Sequence, residues 1–346
     1  MGESCATGAP RREDGRRSDG PEPVDCREDE PLASDTPVDV RLEEFRRAVR
    51  ARGAELYRDL PWRRTRDPYA IWISEVMLQQ TQVARVDGRW QRWLERFPDI
   101  ATLAAADPAD VLEEWQGMGY NRRALALRTA ARAVVDAGGE LPREAASLVA
   151  LPGIGPATAA GIRAFAWDLP GVYLETNVRT VFLHELFPGE LDVPDRRIVP
   201  LVEATCPPDA TDPADTPRSW YYALLDYGAH LKSVLPNPSR RSRTHTRQSR
   251  FEGSHRQKRA ELVRLLLSHR GDAQGAGDRP ADKAGAQRLD GTDGLGGATV
   301  QKFTEELSQV ELKAGRLPLN VSEVADLLAE LSREGFCRCD GDIWHV

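Results

Sequence analysis

The sequence predicts an all-α protein that ends in a small α+β module, and three observations carry that prediction. From Val40 to Ala229 apolar residues recur at intervals of three and four, as in Leu103, Val111, Leu112, Trp115 and in Leu125, Leu127, Ala131, Val134, Val135. That is the period of helices with one buried face, and short Gly- and Pro-marked turns separate the runs. The segment LPGIGPATAAGI, Leu151 to Ile162, reads as a helix-hairpin-helix. Gly153 and Gly155 form its turn, and Pro156 takes the first position of the next helix, where a missing N–H costs nothing. The chain ends in FCRCDGDIWHV, a β-hairpin turning at Asp340–Gly341.

Residues 1–38 are rich in Pro, Gly, Asp and Arg without periodicity and read as a disordered tail. Residues 39–232 form the helical domain. Within it a helix from about Tyr69 to Val83 places Glu75, Gln79 and Gln82 on one stripe, opposite Ile71 and Val76. Residues 233–254 are an Arg-rich segment. Residues 255–346 carry helical patterns at Gln257–Ser268, Thr299–Leu312 and Val321–Arg333, interrupted by a flexible Gly-, Ala-, Asp- and Gln-rich insertion at 271–297. Helices followed by a terminal hairpin suggest a winged-helix-like module. A helical appendage that only packs is the alternative.

At 346 residues the chain predicts roughly two domains and a sizeable core. Its formal charge of −7 is the reverse of the basic footprint usual for nucleic-acid binding. The balance is uneven, because His230–Arg259 holds nine Lys or Arg against the single acid Glu252. Five Lys stand against 42 Arg, a pattern that fits either a high-salt cytoplasm or a GC-rich genome. High salt weakens phosphate contacts that work by counterion release, and gives weight to arginine forks over net charge. No apolar run approaches about 18 residues, so no span or signal peptide is expected. Five cysteines without framework spacing point to a reducing cytoplasmic interior.

A turn such as Gly153–Gly155 presents bare backbone N–H groups, whose natural partner is a DNA phosphate. Carboxylates lie before it at Glu75 and after it at Glu175. A DNA clamp with flanking acids suggests chemistry on DNA. Taken alone, Glu75, Gln79 and Gln82 also read as a solvated polar face, and Glu175 as a helix N-terminal acid.

Four stretches in fixed order, LPWRRTRDPYAIWISEVMLQQTQV from Leu60, WQGMGYNRRA from Trp115, the hairpin, and YLETNVRT from Tyr173, resemble the helix-hairpin-helix (HhH-GPD) DNA glycosylases, nearest to the MutY-type adenine DNA glycosylases. The similar stretch runs from about Leu60 to about Lys232, half the chain. The resemblance implies two helical lobes, mismatched double-stranded DNA as partner, a monomer associated with the nucleoid, and base excision by base flipping. Glu75 then matches the general acid that protonates adenine at N7, which a carboxyl in an apolar pocket can do near neutral pH. Glu175 matches the carboxylate that stabilises or attacks the oxocarbenium-like sugar, and Asn177 a residue assisting there. Gln80 and Tyr120 match the wedge that fills the gap left by the flipped base. Trp62 and Arg63 match the base-pocket lining, although Trp62 also suits a core. Gly153, Gly155, Arg240, Arg241, Arg243 and Arg247 are the expected DNA-backbone contacts.

The sequence departs from that family in four places. Glu175 stands where most members have Asp and is one methylene longer, which leaves a catalytically inactive DNA-binding relative as an alternative. Ala157 stands where strand-cutting relatives have a Schiff-base Lys, so excision without efficient lyase activity is expected. Tyr222 occupies a position where an amide or acid reads the adenine edge, which with Ala157 leaves thymine or uracil opposite guanine as a further alternative. The four-cysteine iron–sulfur loop is missing: Leu231–Gly253 contains no cysteine, and such clusters need thiolate ligands. No cofactor is expected beyond a monovalent cation at the hairpin. Residues 255–346 read too helical for the nudix-like domain with which these relatives sense 8-oxoguanine. Cys337 and Cys339 share a strand face but make no metal site alone; Cys206 and His184 read as structural, and His230, His245 and His255 lack zinc spacing.

Overall fold

The structure, a computed structural model, describes residues 38–208, 212, 214–247, 250–275 and 296–346. Residues 1–37 of the expected tail and 276–295 of the expected insertion lie outside the described residues. Residues 271–275 instead continue a helix. In chain order the helices are α1 (Val38–Glu55), α2 (Pro68–Leu78), α3 (Val83–Val86), α4 (Arg89–Arg96), α5 (Ile100–Ala105), α6 (Pro108–Glu114), α7 (Arg122–Asp136) and α8 (Ala145–Val149). There follow α9 (Pro156–Trp167), α10 (Thr176–Glu185), α11 (Asp195–Thr205), α12 (Pro217–Val234), α13 (His255–Gly275), α14 (Val300–Lys313) and α15 (Val321–Arg333). Two strands, β1 (Arg338–Asp340) and β2 (Ile343–His345), close the chain.

Local chemistry sets where these helices start. Asp67 accepts from the N–H groups of Tyr69 and Ala70 while Pro68 opens α2, and Asp107–Pro108 does the same for α6. Capping boxes at Thr216/Ser219 and Asn320/Glu323 start α12 and α15. In the hairpin Gly153 takes φ +79° and Pro156 sits at the first position of α9.

Two hydrophobic cores form. One joins α2, α4–α8 and one face of α9; the other joins α1, α10, α11, α12 and the opposite face of α9. Helices α2 and α9 feed both: Trp72, Ile73, Ala159 and Ile162 lie in the first, and Ile71, Ala160, Ala164 and Phe165 in the second. Their contact is therefore the seam between two helical lobes, and Glu75 and the hairpin are mounted on it.

The C-terminal module consists of α13–α15 and the antiparallel pair β1–β2, with Cys339 opposite Trp344 and a turn through Gly341 at φ +63°. Ala298, between α13 and α14, exchanges two backbone hydrogen bonds with Trp344 at 2.9 and 3.1 Å. The module is thus three helices and a terminal hairpin joined by this bridge. Leu262, Leu266, Phe303, Leu328 and Phe336 share one buried cluster with Trp93 and Leu112, so the module is fused to the first lobe. Cys337, just before β1, is buried, and Cys339 within it is exposed.

The helix expected over Tyr69–Val83 stops at Leu78. Gln80 turns to φ +53°, a conformation that costs a non-glycine residue free energy, so Gln79 and Gln82 leave the stripe that begins at Glu75. Arg123 explains the stop. Its guanidinium donates to the carbonyls of Val76 (2.8 Å), Gln79 (2.5 Å), Met118 (3.2 Å) and Gly119 (3.0 Å), tying the end of α2 to the loop before α7. Each buried carbonyl left without a donor costs about 1–3 kcal/mol. Arg123→Ala is accordingly expected to lower the unfolding free energy by roughly 3 kcal/mol in urea titration. Arg123→Lys, lacking the planar fork, is expected to recover little of that loss.

Candidate active site at the lobe seam

Glu75 emerges from the middle of α2 into the seam, half-buried. Room for its carboxyl exists because α9 carries glycine at the crossing: a Cβ on Gly161 would collide with the Glu75 carboxyl and lie 2.8 Å from the Tyr173 ring. Tyr173, itself buried, hydrogen-bonds the carboxyl. Burial is the main reason the Glu75 pKa is pushed up to about 8; Tyr173 and Arg63 pull it down, and the charge of Glu175 adds to the rise.

Glu175 is the N-cap of α10 and accepts from the N–H groups of Asn177 (2.6 Å) and Val178 (3.3 Å). Burial raises its pKa, opposed by these N–H groups and by Lys232. The two acids therefore differ in what surrounds them. Glu75 faces the Tyr173 phenol and the bare backbone at Gly161, whereas Glu175 faces helix N–H dipoles that oppose the rise in its pKa. Asn177 is the second residue of the same helix, and its buried Oδ1 has no hydrogen-bond partner among the described residues. Gly228 on α12 lets α10 approach so closely that a Cβ there would overlap the Asn177 backbone.

Tyr222 is buried, stacked on Phe165 at 4.5 Å and 4° between planes. The Arg63 guanidinium stands 4.4 Å from its ring and that of Arg218 5.2 Å. Arg63 is not presented as an open edge: Asp226 takes its fork at 2.6 and 2.9 Å. Trp62 lies edge-on to Trp90 at 6.3 Å within the first core, the core position that its sequence also allowed.

Gln80 and Tyr120 are both exposed, and both adopt left-handed backbone, at φ +53° and +48°. They sit on the two loops that Arg123 ties together. Strain shared by two exposed residues on adjacent loops is the kind retained at functional sites. The hairpin glycines Gly153 and Gly155 are exposed. Among the arginines of 233–254, Arg240 and Arg247 are exposed, and Arg243 pairs with Asp192 at 2.5 Å. Arg241 instead folds inward and donates to the carbonyls of Leu183 and Phe187, each at 2.6 Å. It caps the end of α10 and is not available to a phosphate.

An iron–sulfur cluster does not fit this segment, which has no cysteine from Leu231 to Gly253. Protein contacts hold it instead: Val193 exchanges backbone hydrogen bonds at 3.0 Å with Arg241 and Arg243, beside the Arg241 cap. Among the described residues no group of three or more His, Cys, Asp or Glu is placed to hold a metal ion, and no helix is long and apolar enough to cross a membrane.

Sequence reasoning passed over Tyr173, Gly161, Asp226 and Gly228. Glycines inside helical runs, TAAGI and LDYGAH, were the available signal for close backbone approach. The partners of Tyr173 and Asp226 are distant in sequence.

Residues 73–230 match the profile of the HhH-GPD superfamily base excision DNA repair proteins. An adenine DNA glycosylase of Mycolicibacterium smegmatis is 40% identical over 175 residues, 50% of this chain and 58% of that protein. The adenine DNA glycosylases of Rattus norvegicus and Homo sapiens are 41% and 42% identical over 39% and 36% of this chain, and 28% and 24% of theirs. The matched region thus spans between about a quarter and three-fifths of these relatives. Among solved structures, a thermostable thymine-DNA glycosylase overlays 55% of this chain and 87% of its own, with TM-score 0.48 and 23% identity.

Two outcomes follow from the seam. The folded-state pKa of Glu75, about 8, exceeds its ordinary 4.5, so the folded state holds an extra proton between those values. Stability therefore falls as pH rises from about 4.5 to about 8, by about 3 kcal/mol at pH 7. Glu75→Gln, a neutral isostere, is expected to raise Tm at pH 8 and leave it nearly unchanged at pH 4. A variant no more stable than wild type at pH 8 would contradict a buried, high-pKa acid. Gly161→Ala is expected to displace the same carboxyl and lose the wild-type dependence of Tm on pH.

Proposed function

Through residues 73–230 the chain belongs to the HhH-GPD superfamily of base excision DNA repair proteins, and from that membership we propose that it is a monofunctional DNA glycosylase removing adenine mispaired with guanine or 8-oxoguanine. The observation that carries the proposal is the carboxyl pair at the seam, with Glu75 held neutral and Glu175 on a helix N-terminus. In this reading the exposed, strained Gln80 and Tyr120 enter the duplex while the adenine swings toward Glu75. Glu75 gives its proton to N7. The bond from C1′ to N9 breaks with its electron pair leaving on the base, and Glu175, with Asn177, meets the positive charge developing on the sugar. Water then adds to C1′ and gives up a proton to the Glu75 carboxylate, which restores the acid. Ala157 supplies no amine for a Schiff base, so the strand stays intact. We propose that no iron–sulfur cluster takes part, and a monovalent cation at the hairpin stays a candidate. The DNA phosphates meet the hairpin N–H groups, Arg240 and Arg247.

One observation favours a second reading. Tyr222 is stacked into the wall between Phe165 and Arg63 and offers no amide or acid to the adenine edge, so another base mispaired with guanine would also be accommodated.

Single-turnover cleavage of duplexes with A:8-oxoguanine, A:G, T:G and U:G, developed with alkali, tests both. Strand breaks confined to the adenine strand and seen only after alkali are expected. Breaks at T or U move the substrate, and silence with DNA still bound overturns the enzyme. Glu75→Gln is expected to reduce excision by about a thousandfold or more with little change in DNA binding. The wild-type single-turnover rate is expected to fall about tenfold per pH unit above about 8, where Glu75 loses its proton.

A further inference from the structure

The start of the C-terminal module reaches the wedge. Arg256, the second residue of α13, donates from Nη1 to the Tyr120 hydroxyl at 2.9 Å. Its guanidinium lies 5.4 Å from the Tyr120 ring and 5.4 Å from the ring of Phe251. Tyr120 is 38% and Phe251 47% exposed, so an arginine is held between two solvent-facing aromatic rings beside a strained loop. The junction is fixed from below. Arg259 binds Glu330 at 3.1 Å and Glu334 at 2.6 Å, and Arg122 at the start of α7 stands 3.5 Å from Glu334.

The last helix, α15, carries Glu323, Asp326 and Glu330, with Glu334 just past its end, against the single base Arg333, an excess of acid that opposes phosphate. Glu330 and Glu334 face the arginines of α13 and α7. The module therefore offers DNA the start of α13, not α15.

We propose that Arg256, backed by Phe251, is a specificity-determining residue that contacts the base opposite the excised one and favours a guanine-type purine. The proposal rests on the assignment of Tyr120 as a wedge residue. A wedge beside a flipped nucleotide lies against the base left behind, and Arg256 is bonded to that wedge. A guanidinium pairs bidentately with guanine O6 and N7, and two flanking rings stiffen it and suit it to stacking on a base.

The test is affinity of the full chain for duplexes containing a stable abasic analogue opposite guanine, 8-oxoguanine, 7-deazaguanine, cytosine or a second abasic analogue. No excision is needed, so a failure of the adenine assignment shows separately, as absent cleavage by wild type on A:G. Wild type is expected to bind the guanine duplex about tenfold tighter than the cytosine duplex and to lose that preference with 7-deazaguanine. Arg256→Ala and Phe251→Ala are expected to flatten the preference with cytosine binding unchanged, and Arg256→Lys to restore only part of it. Tyr120→Phe keeps the ring, and is expected to weaken the preference less than Arg256→Ala. Equal loss by Arg256→Ala on all five duplexes would make the residue a phosphate or packing contact and overturn the proposal, as would a wild type that shows no preference.

Discussion

The crossing of α2 and α9 is the constraint on which the rest of the molecule depends. Both helices contribute to both cores, so their separation sets the distance between the lobes. That separation is short only because Gly161 has no side chain where the Glu75 carboxyl and the Tyr173 ring meet. A mid-helix glycine costs about 1 kcal/mol against alanine. What it gains is a carboxyl placed in a wall of protein instead of in water, and the raised proton affinity of Glu75 follows from that placement. The hairpin is attached to the same helix at its first residue, so Gly153–Gly155 stand in fixed register with Glu75.

The second acid is positioned by a different device. Glu175 is held by the N–H groups that α10 cannot satisfy internally, and α10 is held in turn by α12 through Gly228 and by Arg241 at its far end. The Glu175 side chain accepts from the N–H groups of Asn177 and Val178 at the start of its own helix. Burial raises the proton affinity of both carboxyls, but at Glu175 the helix N–H groups and Lys232 oppose that rise, so unlike surroundings separate two residues of one type.

Most of the fold was legible in the sequence because it is written locally. Caps such as Asp67–Pro68 and Thr216, the hairpin turn, and the apolar period of α7 and α15 each need only a few neighbouring residues. The places where local reading failed involve distant partners. The end of α2 was set too late since Gln79–Val83 reads as helix until Arg123, more than 40 residues away, takes its carbonyls. The α13 helix was set too short because its glycine-containing end suggested a break. In the site, Glu75 and Glu175 were visible as acids flanking a hairpin, but Tyr173, Asp226 and the engagement of Arg63 depend on contacts across the seam. Composition misled most about Arg241, which reads as one of a basic run and acts as a helix cap.

That last point bears on why 42 arginines accompany five lysines. Many of these guanidinium groups face the protein, not its surroundings. Arg218 donates to the carbonyls of Arg63 (2.7 Å), Thr65 (2.8 Å) and Phe165; Arg128 to Ala106 (2.5 Å); Arg46 to Thr205 (2.9 Å); and Arg123 and Arg241 hold the loops already described. A lysine ammonium has no planar fork and gives up strong hydration when buried, so it makes a poorer bridge between two carbonyls on different segments. An internal set of arginine staples therefore fixes chain ends and loops against one another. It does so without adding to the outward positive potential. A net charge of −7 and a local basic stretch are then not in conflict, since the count of arginines overstates the field outside and the total charge understates the run His230–Arg259.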